Sequence, residues 1–127
     1  LKDQLIWLKV GNENLTDKDM EAIGKLTALT RLHIEGNPIT DAGLKHFKNL
    51  SNLHYLNLSG TKVTQQGVLE LGGLKRLQKI YLYQISTSKF DKAVLKKAMP
   101  GTVIDTGGYI VPTLQSDTSI YKGNEPM

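Results

Sequence analysis

The sequence predicts an α/β fold, a right-handed solenoid of about four repeats of 24 residues with short parallel strands on its concave face and helices on its convex face. Two observations carry this. Apolar residues recur in register at that period: Leu8, Leu32, Leu56 and Ile80 form one column, and Val10, Ile34, Leu58 and Leu82 another, two residues on. Each such pair is followed by apolar residues at helical spacing, such as Leu44 and Phe47, so every unit reads strand, turn, helix. Self-similarity of this kind marks units that bury their apolar faces only by stacking on their neighbours.

The units run over residues 1–25, 26–49, 50–73 and 74–101, with a terminal strand at 102–105 and a tail at 106–127. Upstream of each strand lie two further columns, Leu5, Leu29, Leu53 and Leu77, then Leu26, Leu50 and Leu74, the latter broken at the start by Lys2. Downstream, Leu15, Ile39 and Val63 precede Met20, Leu44 and Val68, then Ile23, Phe47, Leu71 and Leu95. All of these are expected in the core. Thr16, Thr40, Thr64 and Ser88 stand just before the helical segments, where a hydroxyl can accept from the free N–H groups of the first turn. Asp17 and Asp41 follow them, placed to favour the positive end of the helix dipole. In the fourth unit the segment Gln84 to Ser88 lacks the apolar residue of the other turns, and Ile85 fills that space from a shifted position. Its helix is expected from about Ser88 to Met99, ended by Pro100 and Gly101. Ile104, a full period after Ile80, seeds the terminal strand.

A helix is wider than a strand, so stacking bends the array and places the strands on the concave side. With no cysteine there is neither a disulfide framework nor thiol chemistry. No apolar run approaches the roughly 20 residues of a membrane span, and no signal-peptide pattern is present. The first residue is Leu1, as expected of a piece of a larger protein. The formal charge is +4, with Lys and Arg scattered rather than clustered, which argues against nucleic acid as the partner.

Residues 26 to 44, read as L-x-x-L-x-x-L-x-I-x-G-N-x-I-T-D-x-G-L, resemble the leucine-rich repeat family, and the likeness covers about residues 1 to 105. The segment Thr40-Asp41-Ala42-Gly43-Leu44 is similar to repeats of eukaryotic F-box proteins and of ribonuclease inhibitor. The last unit, with Ile80-Tyr81-Leu82-Tyr83-Gln84, Leu95 to Gly101 and Val103 to Gly107, resembles the closing repeat of leucine-rich domains in bacterial cell-envelope proteins. Those domains often follow a c-type-cytochrome-like domain and membrane segments. Their ending commonly reads tryptophan-glutamine-threonine, any residue, valine-threonine, and here Tyr83 stands for the tryptophan and Ile85 to Ser88 for the rest. This likeness implies an extracytoplasmic setting, in the periplasm or cell envelope, with any redox chemistry belonging to another part, since C-x-x-C-H is absent here.

Residues between the inward strand positions point outward. They form three columns: Trp7, Arg31, Tyr55 and Lys79; Lys9, His33, Asn57 and Tyr81; and Gly11, Glu35, Ser59 and Tyr83. Exposed aromatics beside Arg are what protein recognition sites favour, because rings bury much area for few frozen torsions and Arg makes several directed hydrogen bonds. Trp7, Lys9, Arg31, His33, Glu35, Tyr55, Asn57, Lys79, Tyr81 and Tyr83 are therefore the candidate ligand-binding residues of a protein- or peptide-binding module. A glycan could use the same face. The alternative is a structural accessory that positions a redox or hydrolytic domain of the same larger protein through the end at Leu1 to Trp7.

Catalysis is not expected. Ser59-Gly60-Thr61-Lys62 has no phosphate-loop spacing, and no Ser or Thr has an evident His and carboxylate partner. A metal would need ligands that converge, whereas His33 belongs to the concave face, His46 to the convex helix and His54 to the approach to the third strand. No cofactor is implied.

Overall fold

The structure, a computed structural model, describes residues 6–107. The expected docking end before Ile6 and the tail beyond Gly107 lie outside the described residues. Five parallel strands, β1 (Ile6–Lys9), β2 (Leu29–His33), β3 (Tyr55–Asn57), β4 (Lys79–Tyr81) and β5 (Val103–Asp105), form one sheet in sequential order. Leu32 pairs with Leu56, Leu56 with Ile80 and Ile80 with Ile104, so the sequence period is the pairing register. Only the start of β1 departs: Ile6 pairs with Leu29, one residue short of the period, whereas Trp7, Leu8 and Lys9 pair in register with Arg31, Leu32 and His33.

Between the strands lie α1 (Asp17–Ile23), α2 (Asp41–Leu44), α3 (Gln65–Leu69) and α4 (Lys92–Ala98). The two middle helices tighten into 3-10 turns at Lys45–Phe47 and Glu70–Gly73. A short repeat leaves room for about one helical turn, and the tighter coil returns the chain to the next strand. No helix among the described residues is long and apolar enough to cross a membrane.

Leu32, Leu56, Ile34, Leu58, Phe47, Leu50 and Leu53 have no exposed surface and form one continuous core with Ile80, Leu82 and Leu95. Leu26 departs from its column: it is 47% exposed, whereas Leu50 is at 0% and Leu74 at 5%. One period before Leu26 the sequence has the polar Lys2, so this column has no apolar partner in the first unit, whereas Leu50 follows Leu26 and Leu74 follows Leu50. Leu8, Val10 and Leu15 are half-buried at the same end.

The residues before the helices do more than cap. Asp17 accepts the Thr40 backbone N–H at 2.7 Å through Oδ1 and the Thr40 hydroxyl through Oδ2. Asp41 repeats this grip on Thr64. Each carboxylate therefore ties its own helix start to that of the following repeat. Space for it comes from the glycine of the T-D-x-G-L segment, since a Cβ on Gly43 would stand 2.6 Å from Asp17 Oδ1, and one on Gly67 would overlap the Asp41 carboxylate.

The expected hydroxyl caps hold for Thr40, whose Oγ1 accepts from Ala42 N–H at 3.2 Å, and for Thr16, which forms a capping box with Asp19. In that box the Asp19 carboxylate accepts the Thr16 N–H at 2.8 Å, whereas Thr64 donates its hydroxyl to Asp41 and makes no side-chain cap. In the fourth unit the cap is Asp91, which accepts from Ala93 and Val94, so the helix is Lys92–Ala98 rather than Ser88 to Met99. Gln65 stands there in the aspartate column, and its longer side chain accepts from Asp91 N–H while its own N–H donates to Ser88 Oγ at 3.2 Å. Ser88 is thereby turned toward the preceding repeat, and Ile85 and Phe90 pack half-buried against the core.

Asn37 anchors the first turn. It is 1% exposed, accepts from Glu13 N–H and Leu15 N–H, and donates to Val10 and Ile34 carbonyls. At the equivalent position Thr61 is also buried and donates to Leu58 O at 2.6 Å.

Candidate functional site

Parallel pairing at a constant register places equivalent residues of successive strands side by side, roughly 4.8 Å apart. Trp7, Arg31, Tyr55 and Lys79 are consecutive partners across β1 to β4. Arg31 lies between two rings, its Cζ 4.4 Å from the Trp7 ring centroid and 4.1 Å from that of Tyr55. Both distances are within cation–π range, so the guanidinium is held in a three-layer stack. Trp7 remains 49% exposed although it is the largest side chain of the face. Lys9 approaches the same ring more loosely, with Nζ 5.8 Å from its centroid.

The C-terminal half is wired differently. Lys79 Nζ lies 3.5 Å from Asp105 Oδ2 and 4.7 Å from the Tyr81 ring centroid. Burial works against the charge on Lys79, but the attraction of Tyr81 and Asp105 and the hydrogen bonds to them outweigh it and raise its pKa above the ordinary 10.5. Asp105 is itself 8% exposed and also accepts from the Tyr83 hydroxyl at 3.0 Å. Tyr81 and Tyr83 meet edge to face, with centroids 6.0 Å apart. The Tyr83 ring lies over Gly107, where a Cβ would come within 2.6 Å of its Cδ1. These residues brace one another, leaving the C-terminal half of the face pre-ordered and charge-balanced.

Three candidates stand apart from these contacts. Asn57 is half-buried and its Oδ1 accepts from Ser59 N–H at 3.0 Å, so part of its capacity is used internally. His33 is half-buried in the same row. Glu35 lies against the bare backbone of Gly11, and its Oε1 is buried with no hydrogen-bond partner among the described residues. No group of three or more His, Cys, Asp or Glu able to hold a metal occurs among the described residues.

Asp105 was not among the sequence candidates, although it follows Tyr81 at the same period and so belongs to the column of Lys9, His33, Asn57 and Tyr81. Extending the column one strand further would have found it. Ser59, whose Oγ accepts from Tyr83 N–H at 2.9 Å, shares its column with Gly11, Glu35 and Tyr83.

Residues 27–84 match the leucine rich repeat family. The array is a leucine-rich-repeat solenoid. The same leucine-rich-repeat fold is seen in the crystal structure of an internalin from Listeria monocytogenes, with a TM-score of 0.64 and 25% identity. The match covers 80% of this chain and 28% of the internalin, so the leucine-rich repeats described here span just over a quarter of that neighbour's length. No curated protein sequence matches the chain.

Proposed function

We propose that this leucine-rich-repeat chain is a non-catalytic binding module that holds a protein or peptide on its strand face. The observation that carries this is the ordered row Trp7, Arg31, Tyr55: three large side chains stacked in register, with Trp7 49% exposed. A packed row of rings and guanidinium offers area without the usual cost of freezing side chains, which is what recognition hot spots require. Lys9, His33, Glu35, Asn57, Lys79, Tyr81 and Tyr83 complete the surface. Leucine-rich repeats commonly bind proteins in this way, and the fold shared with an internalin supports an extracytoplasmic setting for such binding.

The test is selection of binders from a displayed random peptide library, followed by Tyr55→Ala and Trp7→Ala. Affinity should fall about tenfold or more in each with the fold intact. Loss of binding in a helix-face variant such as Lys18→Glu, with both strand-face variants unaffected, would move the site to the opposite side.

A second reading, a structural accessory in a larger cell-envelope protein, draws on the N-terminal end of the stack, where Ile6 is 39%, Trp7 49% and Leu26 47% exposed. Such an end suits contact with a neighbouring domain. If the parent open reading frame supplies no such domain, this reading fails.

A further inference from the structure

We propose that Arg31 is a carboxylate receptor, so that the strand face selects an acidic protein segment over a neutral one; this rests on the protein- or peptide-binding reading above. The Trp7 and Tyr55 rings, on the strands to either side, hold the Arg31 Cζ 4.4 and 4.1 Å from their centroids, which fixes the guanidinium between them while its N–H donors keep their capacity for hydrogen bonds. No acceptor for those donors is present among the described residues. Of the two carboxylates of the face, Asp105 takes the Lys79 ammonium and the Tyr83 hydroxyl, whereas Glu35 lies against Gly11 with its Oε1 buried and forms no ion pair with Arg31 among the described residues. Arg31 is thus a cation that the protein has ordered but not neutralised.

A carboxylate fits this group best. It matches the guanidinium fork with two parallel charge-assisted hydrogen bonds, and the rings restrict the fork to one plane, so little freedom remains to be lost on binding. Trp7 adds an exposed apolar surface beside the fork, suited to a segment in which Asp or Glu alternates with apolar residues. Lys9, exposed and within 5.8 Å of the Trp7 ring centroid, gives a second cation at the same end. At the other end the Lys79 and Asp105 pair is balanced. The face is therefore positive on β1 and β2 and neutral on β4 and β5, which also orients an acidic segment along the array. Nucleic acid would need a line of unpaired cations across the strands, and pairing of Lys79 interrupts it.

The chain has one tryptophan, so Trp7 emission reports binding at this place directly. The intact chain is titrated with a short capped peptide alternating glutamate and leucine, and with its glutamine counterpart, at low salt. The glutamate peptide should shift Trp7 emission and bind about tenfold more tightly than the glutamine peptide. Arg31→Gln should abolish that preference, whereas Arg31→Lys should restore only a minor part, because an ammonium keeps the charge but lacks the planar fork. Circular dichroism of each variant checks that the fold is kept. Equal affinity for the two peptides, no response to the glutamate peptide, or a preference unchanged in Arg31→Gln would each overturn the proposal. If library-selected peptides still need Tyr55, the protein-binding reading survives that failure. Binding of oligothymidine that is tighter than the glutamate peptide and depends on Arg31 would overturn it in favour of nucleic acid.

Discussion

Asp41 holds Thr64 of the next repeat by both carboxylate oxygens, Oδ1 accepting the backbone N–H at 2.7 Å and Oδ2 accepting the hydroxyl. Gly67 sits where any Cβ would overlap that carboxylate. The two positions should therefore be coupled. Asp41→Ala removes two charge-assisted hydrogen bonds and should cost about 2–3 kcal/mol. Gly67→Ala should cost about 1–3 kcal/mol through overlap, despite the better helix propensity of alanine. The double variant should lose clearly less than the sum, because the two nearest atoms, Oδ1 and Cγ, are gone and the Cβ of residue 41 lies farther off, at 2.9 Å. Urea unfolding of the four proteins checks it, and simple additivity would contradict the shared-space account.

Asn37 makes two accepted and two donated hydrogen bonds while nearly fully buried. Asn37→Ala strands N–H groups of the first turn and two carbonyls together, for an expected loss of about 2–4 kcal/mol. Asn37→Asp should also destabilise, since a carboxylate can replace the two acceptor roles but neither donor role. Denaturation midpoints of the two variants decide this; a neutral effect of both would show that water replaces the side chain.

Stability should also depend on Lys79 at alkaline pH. Its pKa in the folded chain is raised above 10.5, because Tyr81 and Asp105 outweigh the opposing effect of burial. A raised folded pKa means that the stabilisation is fully present below the unfolded value and is lost as pH rises through the folded value. Lys79→Gln should therefore narrow its stability deficit relative to the parent as pH climbs above about 10.5. Thermal midpoints across that range measure it, and a deficit that stays constant would show that Lys79 is not coupled to its neighbours.

The strand register was legible because it repeats: the columns of Leu32 and of Arg31 are the pairing of the sheet. Periodicity reports which way a side chain points, but not what it reaches. The grip of Asp17 on Thr40 was hidden, since helix-start carboxylates and hydroxyls already had a local use as caps. Ser88 looked like its column mates, yet the helix starts at Lys92 behind an Asp91 cap, and Gln65, in the aspartate column one repeat earlier, accepts from Asp91 N–H. Leu26 looked like Leu50, yet it is 47% exposed, and one period before it the sequence has the polar Lys2 in place of a leucine. At the candidate site, alternation brought out Trp7, Arg31 and Tyr55, whereas the pairing of Lys79 with Asp105 joins residues of two different columns on neighbouring strands, which a column-by-column reading does not connect.

The sequential strand order has a mechanical consequence. Every strand bonds only to its neighbours in the chain, and the Asp17 and Asp41 links reach just one repeat ahead. A pull applied along the chain from either end meets the bonds of one seam at a time, never the whole sheet in shear. Extension should proceed as a staircase, each detached unit releasing on the order of 80 Å of contour from its 24 residues. The molecule is built to peel rather than to snap.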